Sequence, residues 1–148
     1  MSQRRTYNNS YHTTDITTSS RLDLLIKLYD GAILNCRQAK EAIAGRDLAV
    51  RGERLGRAIA IVNEFKSTLD YSADKNLCSE LERLYSFAAE RLTAANINNS
   101  QESIDEALKV LEILRSAWVE LREQEVAVSG ESRGQGTASA ERSLGISV

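Results

Sequence analysis

The sequence of 148 residues contains no proline. Within an α-helix, proline costs about 3 kcal/mol because it lacks a backbone N–H and its ring clashes with the preceding turn. Its absence removes the strongest helix breaker and favours a chain built mostly of long helices. Runs in which Val, Ile and Thr alternate with polar residues are missing as well, so we expect no β-strands.

Residues that bind metals or perform catalysis are scarce. The only histidine, His12, lies in a polar N-terminal stretch, and the two cysteines, Cys36 and Cys78, are far apart in the sequence. Zinc sites need Cys and His at close spacing, and di-iron bundles need Glu-x-x-His on facing helices. We therefore expect no enzyme activity, metal or cofactor. The cysteines are expected to be buried, reduced thiols of a cytosolic protein, although their spacing does not exclude a disulfide.

Charge and hydropathy exclude two further classes of protein. The formal net charge is -2, so there is no basic excess for binding nucleic acid. No apolar run reaches the ~18 residues that a membrane span requires. Arg4 and Arg5 are not followed by an apolar stretch, so we expect no secretory signal and a cytoplasmic location.

Apolar residues recur at helical spacing in four segments, at about residues 20–44, 48–69, 75–95 and 101–124. Connections of roughly four or five residues make neighbouring helices antiparallel. The sequence therefore predicts an all-α fold, an antiparallel up-down four-helix bundle over residues 20–125. A polar N-terminal arm at residues 1–19 precedes it. The tail at residues 126–148 has too little apolar surface to offset its ordering entropy, so we expect it to be disordered.

Glycine and asparagine mark features of the predicted helices. Gly45 suits a left-handed residue after the first helix, and the asparagines at 96–99 suit the end of the third. Gly52 and Gly56 lie inside the second helix, where each costs roughly 1 kcal/mol relative to alanine. They are either tolerated on the surface or mark the close approach of a neighbouring backbone, and the sequence leaves both interpretations open.

The first predicted helix has more apolar surface than one packing interface needs. At about 100° per residue its apolar side chains fill an arc of roughly 200°, whereas an ordinary surface helix needs about 100° or slightly more. The arc consists of Leu22, Leu24, Leu25, Ile26, Leu28, Tyr29, Ala32, Ile33, Cys36, Ala39 and Ile43. Another part of the chain, a wider core or a partner's segment could cover the surplus. Lys27 falls outside the arc, at an edge that could face a partner.

Several segments, taken in order, resemble the FliS family of bacterial flagellin export chaperones. Those at the start of the first helix are Ile-Thr-Thr-Ser-Ser at 16–20, Leu-Leu-Ile at 24–26 and Leu-Tyr-Asp-Gly-Ala-Ile at 28–33. Later segments, such as Leu-Tyr at 84–85 and Ala-Trp at 117–118, are similar to the third and fourth helices of that family. Arg21 and Lys27 depart from the pattern, since they replace its usual proline and methionine.

The resemblance implies a cytosolic helical bundle that binds the disordered C-terminal segment of flagellin. It implies that such a protein prevents premature polymerisation of flagellin and contacts the flagellar type III export apparatus. It also implies that the N-terminal arm covers part of the binding surface in the free protein, with Tyr11 and Ile16 as anchors.

The apolar surplus and the resemblance together predict a partner-binding surface. Its residues are Tyr11, Ile16, Leu24, Lys27, Leu28, Tyr29 and Ile33. Tyr29 can equally be a core tyrosine with its hydroxyl at the edge of the bundle. The main alternative function is a helical adaptor or structural bundle that self-associates or binds another protein through its wide apolar faces. A small enzyme or metal carrier is a third function, which the lack of ligands disfavours. We expect a monomer or a weak dimer.

Overall fold

The computed structural model describes residues 18–132. Within that range the chain forms four α-helices, namely α1 (Thr18–Ala44), α2 (Leu48–Ser67), α3 (Lys75–Asn98) and α4 (Gln101–Ser132). Each helix packs against two others in the cyclic order α1, α2, α3, α4, so that the four surround one core. The predicted all-α four-helix bundle is confirmed. The last helix, however, continues past its predicted end near Gln124 and includes residues 126–132, which the sequence assigned to the tail.

Aromatic side chains from three helices meet in the centre of the bundle. The ring of Tyr29 on α1 stacks on Phe65 of α2 at 4.4 Å between centroids, and Phe65 lies 5.5 Å from the ring of Tyr85 on α3. The two tyrosine hydroxyls are 2.8 Å apart and share a hydrogen bond. This bond matters because a buried hydroxyl without a partner costs free energy. Trp118 of α4 is also buried in the core.

Both cysteines are buried and no disulfide joins them. Burial raises the pKa of the Cys36 thiol to about 12. Burial also raises the pKa of Cys78, and the nearby carboxylates of Asp74 and Asp70 add to that rise. The prediction of buried thiols is therefore confirmed.

The connection between α1 and α2 differs from its prediction by one residue. Arg46, not Gly45, takes the left-handed conformation, with φ of 60°. The Arg46 N–H donates to the Ile43 carbonyl, and the Asp47 N–H donates to the Ala42 carbonyl. These two bonds form a Schellman motif whose left-handed position falls on Arg46. The Asp47 side chain then accepts a hydrogen bond from the Val50 N–H and caps α2.

The structure also shows how α3 ends and what surrounds the two glycines inside α2. Asn99 follows α3 in the left-handed conformation, with φ of 54°, as the run of asparagines predicts. A Cβ placed on Gly56 would meet nothing within 4 Å, and one on Gly52 would meet only Asn96 Oδ1, at 3.9 Å. Neither glycine marks a close backbone approach, so the interpretation of tolerated surface glycines is confirmed.

Candidate protein-binding surface

Five of the residues predicted to bind a partner lie on α1, and the structure divides them by depth. Leu24 is 48% exposed, and Lys27 is exposed beside it. Leu28 is partly buried and packs against the core. Tyr29 and Ile33 are buried core residues. Tyr11 and Ile16 lie outside the described residues.

A wider core accounts for most of the apolar arc on α1. This helix packs against α2 along one edge and against α4 along the other, so its apolar face must serve two neighbours. The buried members of the arc are Leu22, Leu25, Ile26, Tyr29, Ala32, Ile33, Cys36 and Ala39. Leu24 is the one member of the arc that the structure leaves exposed.

Charged side chains line the boundary between α1 and α4. Four ion pairs cross it, Asp23–Arg122, Asp30–Arg115, Arg37–Glu112 and Lys40–Asp105. The charge that α1 contributes changes sign along the boundary. Its N-terminal half supplies the acidic side chains and its C-terminal half supplies the basic ones. Ile33 lies at an open groove bordered by Asp30, Arg37, Glu112 and Arg115. A partner that approached Ile33 would therefore meet a charged rim before an apolar floor.

Large exposed apolar side chains occur on every helix of the described range. They are Leu24 and Leu34 on α1, Leu48 on α2, Phe87 and Ile97 on α3, and Ile113, Val126 and Val128 on α4. Ile113 of α4 is 60% exposed although it lies in a helix with a buried apolar stripe. Ile113 lies about 160° around the helix from the buried Leu111, at about 100° per residue, which is the signal that could have identified it as exposed.

The boundary between α1 and α2 contains polar atoms that sequence reasoning missed. Asn35 Oδ1, Gln38 Oε1 and Arg54 Nε are buried and have no hydrogen-bond partner. A Cβ on Gly31 would touch Ile61 Cδ1 at 3.7 Å, which places these two residues opposite each other. Seven residues make almost two helical turns. Gln38, seven residues after Gly31, therefore faces Arg54, seven residues before Ile61. We refer to Asn35, Gln38 and Arg54 as the polar seam.

The described residues lack the features of a metal site and of a membrane span. Within residues 18–132 there is no group of three or more His, Cys, Asp or Glu side chains that could hold a metal ion. None of the four helices combines the length and the hydropathy needed to cross a membrane.

Comparisons with known proteins place this chain in one protein family. The family described as flagellar protein FliS matches residues 2–125. The flagellar secretion chaperone FliS of Campylobacter jejuni is 32% identical over 117 residues, which cover 79% of this chain and 91% of that protein. The protein of the same name from Vibrio cholerae is 29% identical over 105 residues, which cover 71% and 77%. That of Salmonella typhimurium is 29% identical over 107 residues, which cover 72% and 79%. The resemblance found in the sequence is thus confirmed, and this chain belongs to the FliS family of flagellar proteins.

Proposed function

We propose that this chain is an export chaperone that binds the C-terminal segment of newly made flagellin in the cytosol. The observation that carries the proposal is the family match over residues 2–125, supported by relatives named flagellar secretion chaperones. Binding prevents premature polymerisation and keeps flagellin ready for the flagellar type III export apparatus. Apolar burial at ~25 cal/mol per Å² over a few hundred Å² supplies several kcal/mol, before the cost of ordering the guest.

The α1 residues that remain accessible contribute to the flagellin-binding surface. Leu24 offers an exposed apolar anchor, Lys27 a charged edge on one side of it, and Leu28 a partly buried apolar side chain on the other side. Tyr29 and Ile33 act from the core, where they fix the position and rotation of α1. Tyr11 and Ile16 cover this surface until flagellin displaces them.

Co-purification from the cytosol tests the proposal. Tagged protein should retain full-length flagellin and lose flagellin that lacks its C-terminal segment. The L24D variant should retain less flagellin because a carboxylate replaces an apolar anchor. The L48D variant is the matched control, since Leu48 is similarly exposed but lies on α2. Equal recovery of flagellin with and without its C-terminal segment would contradict the proposal.

The alternative, an adaptor that self-associates through its apolar faces, makes a different prediction. The exposed apolar side chains would then bury one another in a stable oligomer without flagellin. Light scattering coupled to size-exclusion chromatography should instead give the mass of a monomer or weak dimer. A stable oligomer that ignores flagellin would favour the adaptor.

A further inference from the structure

Apolar side chains outside the core lie together on the surface between α3 and α4. The register of these two antiparallel helices is given by an ion pair, in which Arg91 Nη1 lies 3.7 Å from Glu106 Oε1. One helical turn away from that pair, Phe87 on α3 and Val110 on α4 lie at the same level. Residues three positions further along each helix again share a level and a face, and they are Leu84 and Ile113. We refer to Leu84, Phe87, Val110 and Ile113 as the α3–α4 patch.

The α3–α4 patch is not part of the core of the bundle. Phe87 and Ile113 are exposed. Leu84 and Val110 are partly buried, but they belong neither to the core nor to the side chains that pack against it. Neighbouring exposed apolar side chains on a soluble protein commonly mark a surface that another segment covers.

The two flanks of α4 differ in charge. Four ion pairs cross its boundary with α1, whereas among the described residues one ion pair, Arg91–Glu106, crosses its boundary with α3. An apolar segment that binds along α4 would have to remove water from charged groups on the α1 side, which costs free energy. The α3 side, which carries the α3–α4 patch, is therefore the flank that favours an apolar segment.

The chain itself supplies such a segment after α4. Residues 133–148 lie outside the described range, and their large apolar side chains occupy alternate positions, namely Leu144, Ile146 and Val148. In an extended chain, side chains at alternate positions face the same side, and these three span about 13 Å. The α3–α4 patch lies between Arg83 and Arg91, which are eight residues apart on α3 and therefore about 12 Å apart along the helix axis. The three side chains thus match the length of the patch.

The segment is long enough to reach the α3–α4 patch from the end of α4. Ile113 lies nineteen residues before Ser132, which is about 28 Å along the helix. Leu144 lies twelve residues after Ser132, so an extended connection spans up to about 40 Å. The difference leaves length for the reversal of direction that this path requires, and Gly134 and Gly136 permit tight turns there.

Charges beside the apolar residues of the segment complement charges beside the patch. Glu141 and Arg142 come shortly before Leu144. The chain would approach from the C-terminal end of α4, where it first meets the exposed Glu80–Arg83 pair of α3. Glu141 can then face Arg83, and Arg142 can face Glu80. Exposed pairs of this kind add little stability, so they help to set the position of the segment more than its affinity.

We infer that residues 141–148 bind in an extended conformation to the α3–α4 patch of the same chain. Leu144, Ile146 and Val148 lie on the patch, and the intervening side chains face away from it. The segment has too few apolar residues to fold by itself, but here it uses an apolar surface that the bundle already provides. The inference goes beyond the proposed function, because it concerns contacts within one chain and involves no flagellin.

A spin label at position 147 tests where the segment lies. The substitution S147C places the label between two of the apolar anchors, on the side that faces away from the patch. Cys36 and Cys78 are buried and should not react with the label. In nuclear magnetic resonance spectra of the full chain, the amide signals of Phe87 and Val110 should lose intensity. The signals of Leu24 on α1 and Leu48 on α2 should keep theirs.

The matched control adds L144S/I146S to the spin-labelled chain and should restore the lost signals. Loss that is equal at all four reporter positions, or no loss at any of them, overturns the inference. A mixture of spin-labelled chains and isotope-labelled chains without a spin label distinguishes a second occupant. If the signals of Phe87 and Val110 are lost in that mixture, the segment of another copy covers the patch, and the assignment to the same chain is wrong.

Binding of an apolar dye gives an independent measurement. The L144S/I146S variant should bind more dye than the wild-type chain, because it uncovers the α3–α4 patch. Adding I113S to that variant should abolish the increase, while A138S/A140S, which changes the same segment outside the apolar anchors, should leave dye binding unchanged. An increase that persists with I113S, or no increase in L144S/I146S, contradicts the inference.

Discussion

At the scale of single residues, some positions in this protein adopt a backbone conformation that is unfavourable for their residue type. Arg46 is the clearest case, because a left-handed conformation is unfavourable for a residue with a Cβ. The conformation persists because two backbone hydrogen bonds and the Asp47 cap of α2 fix the length of the connection. Such positions allow direct predictions about stability.

Replacing Arg46 by glycine should stabilise the protein. Glycine removes the steric cost of the left-handed conformation, which exceeds the extra entropy it loses on folding, so R46G should raise the free energy of unfolding by roughly 0.5–1 kcal/mol. Urea denaturation measures the change. The control R57G makes the same exchange at an exposed position inside α2 and should lower stability by about 1 kcal/mol. A loss of stability in R46G would contradict the prediction.

The Tyr29–Tyr85 hydrogen bond should show strong coupling between its two partners. Either Y29F or Y85F leaves one buried hydroxyl without its partner and should cost about 1–3 kcal/mol. The double variant removes both hydroxyls and should cost less than the two single variants added together. A double-mutant cycle in the free energy of unfolding measures the coupling. Additive losses would show that the bond contributes little.

The same pair predicts sensitivity to alkaline pH. Burial, and secondarily the neighbouring Tyr85, raises the pKa of Tyr29 far above 10, and burial raises that of Tyr85 to about 12. Unfolded tyrosines lose their protons near pH 10, so the unfolded state binds fewer protons than the native state above that pH. The contribution of these two tyrosines to the free energy of unfolding is therefore fully present below pH 10, and it is lost as the pH rises from about 10 to 12. The Y29F/Y85F variant should show a smaller decline in the unfolding midpoint over this range.

At the scale of helices, the ion pairs between α1 and α4 favour the antiparallel arrangement. The acidic half of α1 faces the basic half of α4, and the basic half of α1 faces the acidic half of α4. In a parallel arrangement, charges of the same sign would face each other. Exposed pairs of this kind contribute only about 0–1 kcal/mol each. Their role is accordingly to disfavour wrong pairing more than to stabilise the right one.

Reversing one pair tests this role. D30R places two arginines opposite each other and should lower the free energy of unfolding by about 1 kcal/mol, while D30R/R115D should recover most of that loss. The recovery, measured by urea denaturation, should shrink in 1 M salt because screening weakens exposed pairs. Equal stability of the single and double variants would show that the pair has no role.

At the scale of the whole molecule, the N-terminal arm is proposed to compete with flagellin. If Tyr11 and Ile16 cover the surface around Leu24, replacing both by alanine removes the competitor and should lower the Kd for the flagellin segment by about three- to ten-fold. Titration calorimetry measures the change, and T13A is a control in the same arm. Unchanged affinity, together with unchanged binding of an apolar dye, would remove the arm from the mechanism.

The sequence by itself determined the elements of this protein. Helix formation depends on interactions within four residues, so the absence of proline and the spacing of apolar residues predicted all four helices and their order. The segments at residues 16–33 identified the family. The buried state of Cys36 and the left-handed asparagine after α3 also follow from local pattern.

Only the tertiary structure decided which faces of the helices are buried and which side chains pair with one another. The wide apolar arc of α1 serves two neighbouring helices, so Tyr29 and Ile33 lie in the core and Leu24 stays exposed. The choice of Arg46 over Gly45 depends on where α2 must begin, and the polar seam depends on the register of α1 against α2. The physical reason is the same in each case. The spacing of apolar residues shows which side chains share one face of a helix, whereas the burial and pairing of those side chains depend on residues distant in sequence.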